Sequence, residues 1–372
     1  MMQLGRSDMG DIKLGPRIKA LREKADVSQE QMAKLLGVGS HQIVSQIESG
    51  DRRLKADELL TIVQTFNVSL EVLTNPFLIS GEGRFSWRQQ NVPGQTLDDY
   101  ELRAGEWIGA YRILHQENGE RFRAILPRLG LEKSSTFEDA VQAADALVDE
   151  LGLGEAPAEG LAQMMEERLG ILVLMVDAVP GVSGAACQIP ELGAALINRR
   201  EPRGRRNFDL AHELFHILTW TTMPPERLDG ETPKNRRVEQ LADNFASAIL
   251  APSRTLDRIG HPGDDLTAWL NETAGKLQMS AVALKWRMIN SERVPKAEGL
   301  AVADGDLRHN GEAGAKASPP PAPFSRSFVA TLVAAIEQGN ISVRRAASLT
   351  DLEPDELGDL CDVHGLKRPM EL

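Results

Sequence analysis

The sequence predicts an α+β protein, mainly helical with a small β-sheet. Apolar residues recur at helical spacing through much of the chain, as at Leu14, Ile18 and Leu21 in "KLGPRIKALREKA". One apolar run, "ILVLMV" at 171–176, has the length of a buried strand, and "GAACQIPELGAALINRR" reads as two short strands around a Pro-Glu-Leu-Gly turn. A Gly/Ala/Pro-rich tract at about 303–325 then precedes a last helical stretch.

The chain has 372 residues, 42% of them hydrophobic, enough for two or three cores. Its formal net charge is −12, which excludes a broad nucleic-acid surface and leaves room only for a local module of more neutral charge. The two cysteines, Cys187 and Cys361, form no paired motif; they suggest a reducing compartment and exclude a cysteine zinc site. No apolar run is long enough to cross a membrane, and the first residues lack the apolar core of a signal peptide. The expectation is a cytoplasmic protein without a membrane partner.

Residues 13–75 read as five short helices. Ser28 with Gln31 is a capping-box signature, Gly37 stops that helix, and Ser40 and Gly50 bound the next. From 76 the signals weaken: "FLISGEGRFSWRQQNVPGQ" reads as a loop, with Gly81, Gly83, Pro93 and Gly94 giving the segment before it freedom to move. Helices are expected in "DDYELRAGEWIGAYRILHQ", "TFEDAVQAADALVDELGLG" and "GLAQMMEERLG", then at about 208–222 and 235–250.

The chemistry concentrates in "FDLAHELFHILTW", 208–220. On a helix His212, His216, Asp209, Glu213 and Trp220 fall within one arc of about 100°, with Leu210, Leu214, Phe215, Ile217 and Leu218 on the other side. Histidines at i and i+4 can give zinc two nitrogen ligands, and the adjacent glutamate can act as a base toward water on the metal. The competing reading is an amphipathic helix with two incidental histidines. A third ligand is offered by "VEQLADNFASAIL", where Glu239, Ala242, Asp243 and Ala246 share a face and the alanines permit close approach. Glu239 would complete the set for one Zn2+ per chain, and Asp243 would receive the free ring N–H of a liganding histidine. Alone, these two acids would read as a solvated face.

"NFDLAHELFHIL" followed by "EQLADNFASAILAP" resembles the ImmA/IrrE-type metallopeptidases, the second motif falling on Glu239, Ala242, Asp243, Phe245, Ala246, Leu250 and Pro252. The resemblance covers about 140–290 and includes "SGAA" at 183–186. It implies zinc on His212, His216 and Glu239, with Glu213 catalytic. Phe215 stands where a common variant has Gly, on the side away from the metal. No oxyanion stabiliser is evident: Tyr100 and Tyr111 lie upstream, and His261 is a weak candidate.

"VSQEQMAKLLGVGSHQIVSQIESGDRRL" resembles the Xre-type helix-turn-helix of phage repressors. That resemblance implies a double-stranded DNA operator, with His41, Gln42 and Gln46 facing base edges and Gln29, Arg52 and Arg53 meeting phosphates. Basic and acidic residues nearly balance in this module, so a homodimer would help binding. The competing reading is a small bundle used for protein contacts.

Together these imply a helix-turn-helix head at 1–75, a linker and helical connector at 76–139, a zincin-like peptidase domain at 140–300, a flexible linker at 301–325 and a small helical C-terminal domain at 326–372. The function they imply is a DNA-binding transcriptional regulator with a zinc-dependent peptidase. It would cleave an Xre-type repressor, or itself, in a stress or DNA-damage response, with single-stranded DNA as a candidate activator. The alternative is a non-hydrolytic DNA-binding regulator or antitoxin whose zinc cleft senses a ligand.

Overall fold

Side chains visible in the sequence set the helix ends of the first sixty residues. The structure, a computed structural model, describes residues 14–79, 81–122, 129–225, 233–260, 262–312 and 318–370. The head comprises α1 (Leu14–Lys24), α2 (Gln29–Leu35), α3 (His41–Ser49), α4 (Ala56–Phe66) and α5 (Leu70–Thr74). The backbone N–H of Gln31 donates to the Ser28 hydroxyl, and that of Ser28 donates to the Gln31 side chain, so the expected box opens α2. Gly50 ends α3 in the left-handed conformation. Ile18, Met32, Val44, Ile47, Ile62 and Leu73 form the head's own core.

The stretch read as a loop after the head contains a strand, β1 (Arg84–Gln89), followed by the long helix α6 (Gly94–Glu117). Next come α7 (Phe137–Leu151), α8 (Leu161–Glu167), β2 (Ile171–Val176), β3 (Val182–Gln188), β4 (Gly193–Asn198), α9 (Arg203–Leu218) and α10 (Pro233–Leu250). The sheet order is β1-β3-β4-β2. β3 and β4 form the expected antiparallel hairpin, β2 runs parallel to β4, and β1 is antiparallel to β3.

Alternation divides the sheet into two faces. Ile171, Val173, Ala186, Ala195 and Ile197 pack with α7, α9 and α10. Leu172, Leu174, Val176, Ala185, Cys187 and Leu196 pack with α6 on the other side. Both faces of β2 are covered, which explains why its sequence is an unbroken apolar run.

The freedom expected for the head is not what the structure holds. Arg17 on α1 is 1% exposed. Its guanidinium donates to the carbonyls of Leu73, Asn75 and Leu78 at 2.8, 2.7 and 2.5 Å. Gly81, at φ +79°, lies so close to α1 that a Cβ there would stand 2.1 Å from the Pro16 carbonyl oxygen. Lys24 pairs with Asp98 of α6 at 2.6 Å. Gly81, taken as a flexible joint, here serves close backbone approach.

Beyond α10 lie α11 (Ser253–Arg258), α12 (Leu266–Lys276), α13 (Ala281–Asn290) and α14 (Lys296–Ala301), and then α15 (Arg326–Glu337), α16 (Val343–Thr350) and α17 (Pro354–Val363). The tract expected as a flexible linker, 301–325, is anchored over its described residues. Leu307 and Phe324 are buried. The backbone N–H groups of Gly204 and Phe324 donate to Asn310 and Met175 at 3.1 and 2.7 Å. Pro and Gly content signalled low helix and strand propensity and missed these anchors. The last three helices share a core with α6 and the sheet, as Phe328, Leu332, Leu349 and Leu360 show. Trp107 of α6 donates its indole N–H to the Leu349 carbonyl at 2.9 Å. Both cysteines are free and buried. No described helix is long and apolar enough to cross a membrane.

Candidate metal centre

α9 carries the histidines because its C-terminal half is enclosed, with the sheet on one side and α10 on another. From Asp209 to Leu218 every residue is buried. His212, Glu213 and His216 are 1%, 1% and 6% exposed. α10 approaches through Ala242 and Ala246, both fully buried, and sets Glu239 opposite the two rings. The Glu239 side chain is half exposed, so the cluster opens to solvent on the α10 side.

Three ligand atoms converge. His212 Nε2 lies 3.0 Å from His216 Nε2 and 3.1 Å from Glu239 Oε2. His216 Nε2 lies 3.6 Å from Glu239 Oε1. Zinc bonds of about 2.0–2.2 Å in a tetrahedron place neighbouring ligand atoms about 3.3 Å apart. The spacing therefore fits one small divalent ion with a fourth position left over. His212, His216 and Glu239 are together a group that can hold a metal. On the far side of the ring, Asp243 Oδ1 is 2.9 Å from His212 Nδ1, the place of a carboxylate that fixes ring orientation.

Electrostatics suit ligands. Burial and the neighbouring His212 push His216 down to about 4, so it is neutral. Burial disfavours the Glu239 carboxylate, but the hydrogen bond to His212 and the electrostatic effects of His216, His212 and Arg88 together outweigh it and hold the acid ionised. The same bond and that to Asp243 raise His212 against the effect of burial. A metal on His212 Nε2 must displace that proton. Glu213 differs from the others. Burial raises it to about 8, and neither carboxylate oxygen has a hydrogen-bond partner. β3 leaves room for it at Gly184, where a Cβ would stand 3.5 Å from Glu213 Oε1 and only 2.9 Å from the Leu196 carbonyl oxygen.

Sequence reasoning missed Arg88 on β1. Its Nη1 reaches His212 Nδ1 at 2.6 Å and Asp243 Oδ1 at 3.4 Å, and its Nε pairs with Asp209 at 3.1 Å. The available signal was the alternation in "RFSWRQ": Phe85 and Trp87 stack together, and Ser86 and Arg88 fall on the face paired with Ala186 and Gly184, toward α9. Tyr100 and Tyr111 belong to α6, across the sheet from α9, and play no part in the cluster. His261 lies outside the described residues.

In the head, His41, Gln42 and Gln46 are exposed on α3 while Val44 and Ile47 face inward, so one surface of this helix is available. Arg53 is exposed as well. Two residues expected to meet phosphates also have partners within the head. Arg52 is bidentate to Glu58 at 2.9 and 2.7 Å, and Gln29 donates to Glu48 at 2.8 Å.

Comparison with family models now separates the two parts. Residues 18–73 match a helix-turn-helix model, and residues 166–288 match the model of a peptidase family described as the IrrE N-terminal-like domain. The chain joins a helix-turn-helix head to an IrrE-like domain. Searches of curated proteins and of solved structures gave no significant match. The IrrE-like match contains α9, α10 and strands β2 to β4 but not β1, so Arg88 comes to the cluster from outside it.

Proposed function

We propose that this is a cytoplasmic transcriptional regulator whose IrrE-like domain is a zinc-dependent peptidase, acting on a helix-turn-helix repressor in a stress response. One observation supports hydrolysis above all: Glu213 is a buried, unpartnered carboxylate beside three groups suited to one ion. A site built only to hold a metal has no use for such a residue, and burying it costs stability. Zinc held by His212, His216 and Glu239 would supply a Lewis acid that polarises a peptide carbonyl and acidifies water. Glu213 accepts the proton from the attacking water at its carboxylate and delivers it to the leaving nitrogen. Asp243 keeps the His212 ring oriented.

A separate repressor suits the cleft better than the chain's own connector. Leu78 and Ile79 are buried, and β1 is hydrogen-bonded into the sheet, so this segment is not presented as a free strand. The test is to incubate the zinc-loaded full-length chain with candidate repressors, with and without single-stranded DNA, using Glu213→Gln as the blank. Shortening of a repressor by the wild-type chain alone is expected. Equal cleavage in both conditions removes single-stranded DNA as activator. No cleavage of any candidate, with transcription unaffected by Glu213→Gln, transfers support to the non-hydrolytic sensor.

For the head, Gln42→Ala is expected to weaken binding to the operator by about 1–3 kcal/mol while sparing random duplex. Arg53→Ala should lower the salt slope by about one, and Arg52→Ala should leave that slope unchanged while lowering the head's melting temperature. Titrations at several salt concentrations read all three. A salt slope that falls in Arg52→Ala would return that residue to the phosphates.

A further inference from the structure

Arg88 is held from several sides. The pleat of β1 turns it toward α9, where its guanidinium stands 5.5 Å from the Phe208 ring centroid. Asp209, on the turn of α9 before His212, is fully buried, with its Oδ1 at ion-pair distance, 3.1 Å, from the guanidinium Nε. Asp243, on α10, is half exposed and lies 3.4 Å from Nη1. One planar cation thus bridges two carboxylates that flank the same imidazole, a task for which a lysine's point charge is poorly shaped. An imidazole that offers Nε2 to a metal carries its proton on Nδ1 and needs a fixed acceptor there. Asp243 is that acceptor at 2.9 Å. Arg88 Nη1, which can only donate, stands 2.6 Å from the same Nδ1 and 3.4 Å from Asp243; with the proton on Nδ1 it turns from the ring to the carboxylate and keeps that carboxylate from turning to solvent.

We propose that Arg88 is a positioning residue for the metal ligand His212, and that through it metal binding is tied to the strand beside the docked head. The proposal rests on the metal-site reading above but not on hydrolysis. β1 begins just after Gly81, which packs on Pro16, and after Leu78, whose carbonyl Arg17 holds. A displacement of β1 large enough to withdraw Arg88 therefore pulls on the head's own anchorage. The tie runs in both directions, because coupling free energies are reciprocal.

The test measures the zinc dissociation constant of the full-length chain by competition with a chromophoric chelator, for wild type, Arg88→Ala and Arg88→Gln. Hydrogen exchange of residues 84–89 is followed with and without zinc. Zinc affinity is expected to fall roughly 10–100-fold in both variants, the usual loss when a group supporting a metal ligand is removed. Zinc is expected to slow exchange in β1 of the wild-type chain and not in Arg88→Ala. Wild-type affinity in either variant that melts like the parent overturns the positioning role. Exchange in wild-type β1 that is indifferent to zinc overturns the tie to the strand, whatever the variants do. A wild-type chain that binds no zinc fails earlier, at the metal site itself, whereas zinc binding without peptide cleavage leaves this proposal standing.

Discussion

Glu213→Gln keeps its metal and loses peptide hydrolysis by a factor of roughly 10²–10⁴, the range a general base contributes. The amide fills the same space between α9 and Gly184 but cannot accept a proton from water. The variant should also melt no lower than the parent, because an uncharged amide is cheaper to bury than a carboxylate with no partner. Cleavage rate, zinc content and melting temperature measured on one preparation decide the matter. Cleavage at the wild-type rate would remove Glu213 as the base. Loss of zinc together with activity would mean the carboxylate serves the ion rather than the water.

Glu239→Ala and His212→Ala both abolish tight zinc binding, since two protein ligands rarely retain the ion, but they differ in what else they do. Glu239 is half exposed, so its removal should leave the metal-free fold intact. His212 is 1% exposed and faces Asp243, Arg88, Glu239 and His216. Its loss strands these groups around a cavity and should cost the metal-free chain about 1–3 kcal/mol. Glu239→Ala is therefore the cleaner variant for assigning the metal. Full zinc occupancy in a His212→Ala, His216→Ala double variant would place the ion elsewhere.

The part of this arrangement legible in sequence was what lies within one helical turn. His212, Glu213 and His216 announce themselves by spacing, and Glu239 and Asp243 by spacing together with small neighbours that allow approach. The hairpin of β3 and β4 was legible because turn residues separate two apolar runs. Arg88 was not, because its partners stand more than a hundred positions away and "RFSWRQ" is short and flanked by Gly and Pro. The same blindness to distance made Gly81 a joint rather than a contact, and hid Phe324 inside a tract whose composition suggests a tether. Arg52 is a different case: a basic residue after a recognition helix fits a phosphate contact, and only coordinates show that it also pairs with Glu58.

The covering of the sheet's second face by α15–α17 has a consequence for how the molecule comes into being. The head's core is complete by Leu73 and the sheet by Asn198, yet helices at 326–363 are needed to shield Leu172, Leu174 and Val176. Contacts this far apart in the chain close slowly, and domains emerge from the ribosome in order. During synthesis the sheet therefore waits with one apolar face covered only in part, by α6, while the head is already able to fold. The helix-turn-helix end matures first and the second face of the sheet last. A nascent or interrupted chain would carry a folded helix-turn-helix head before the sheet behind the metal centre is fully covered.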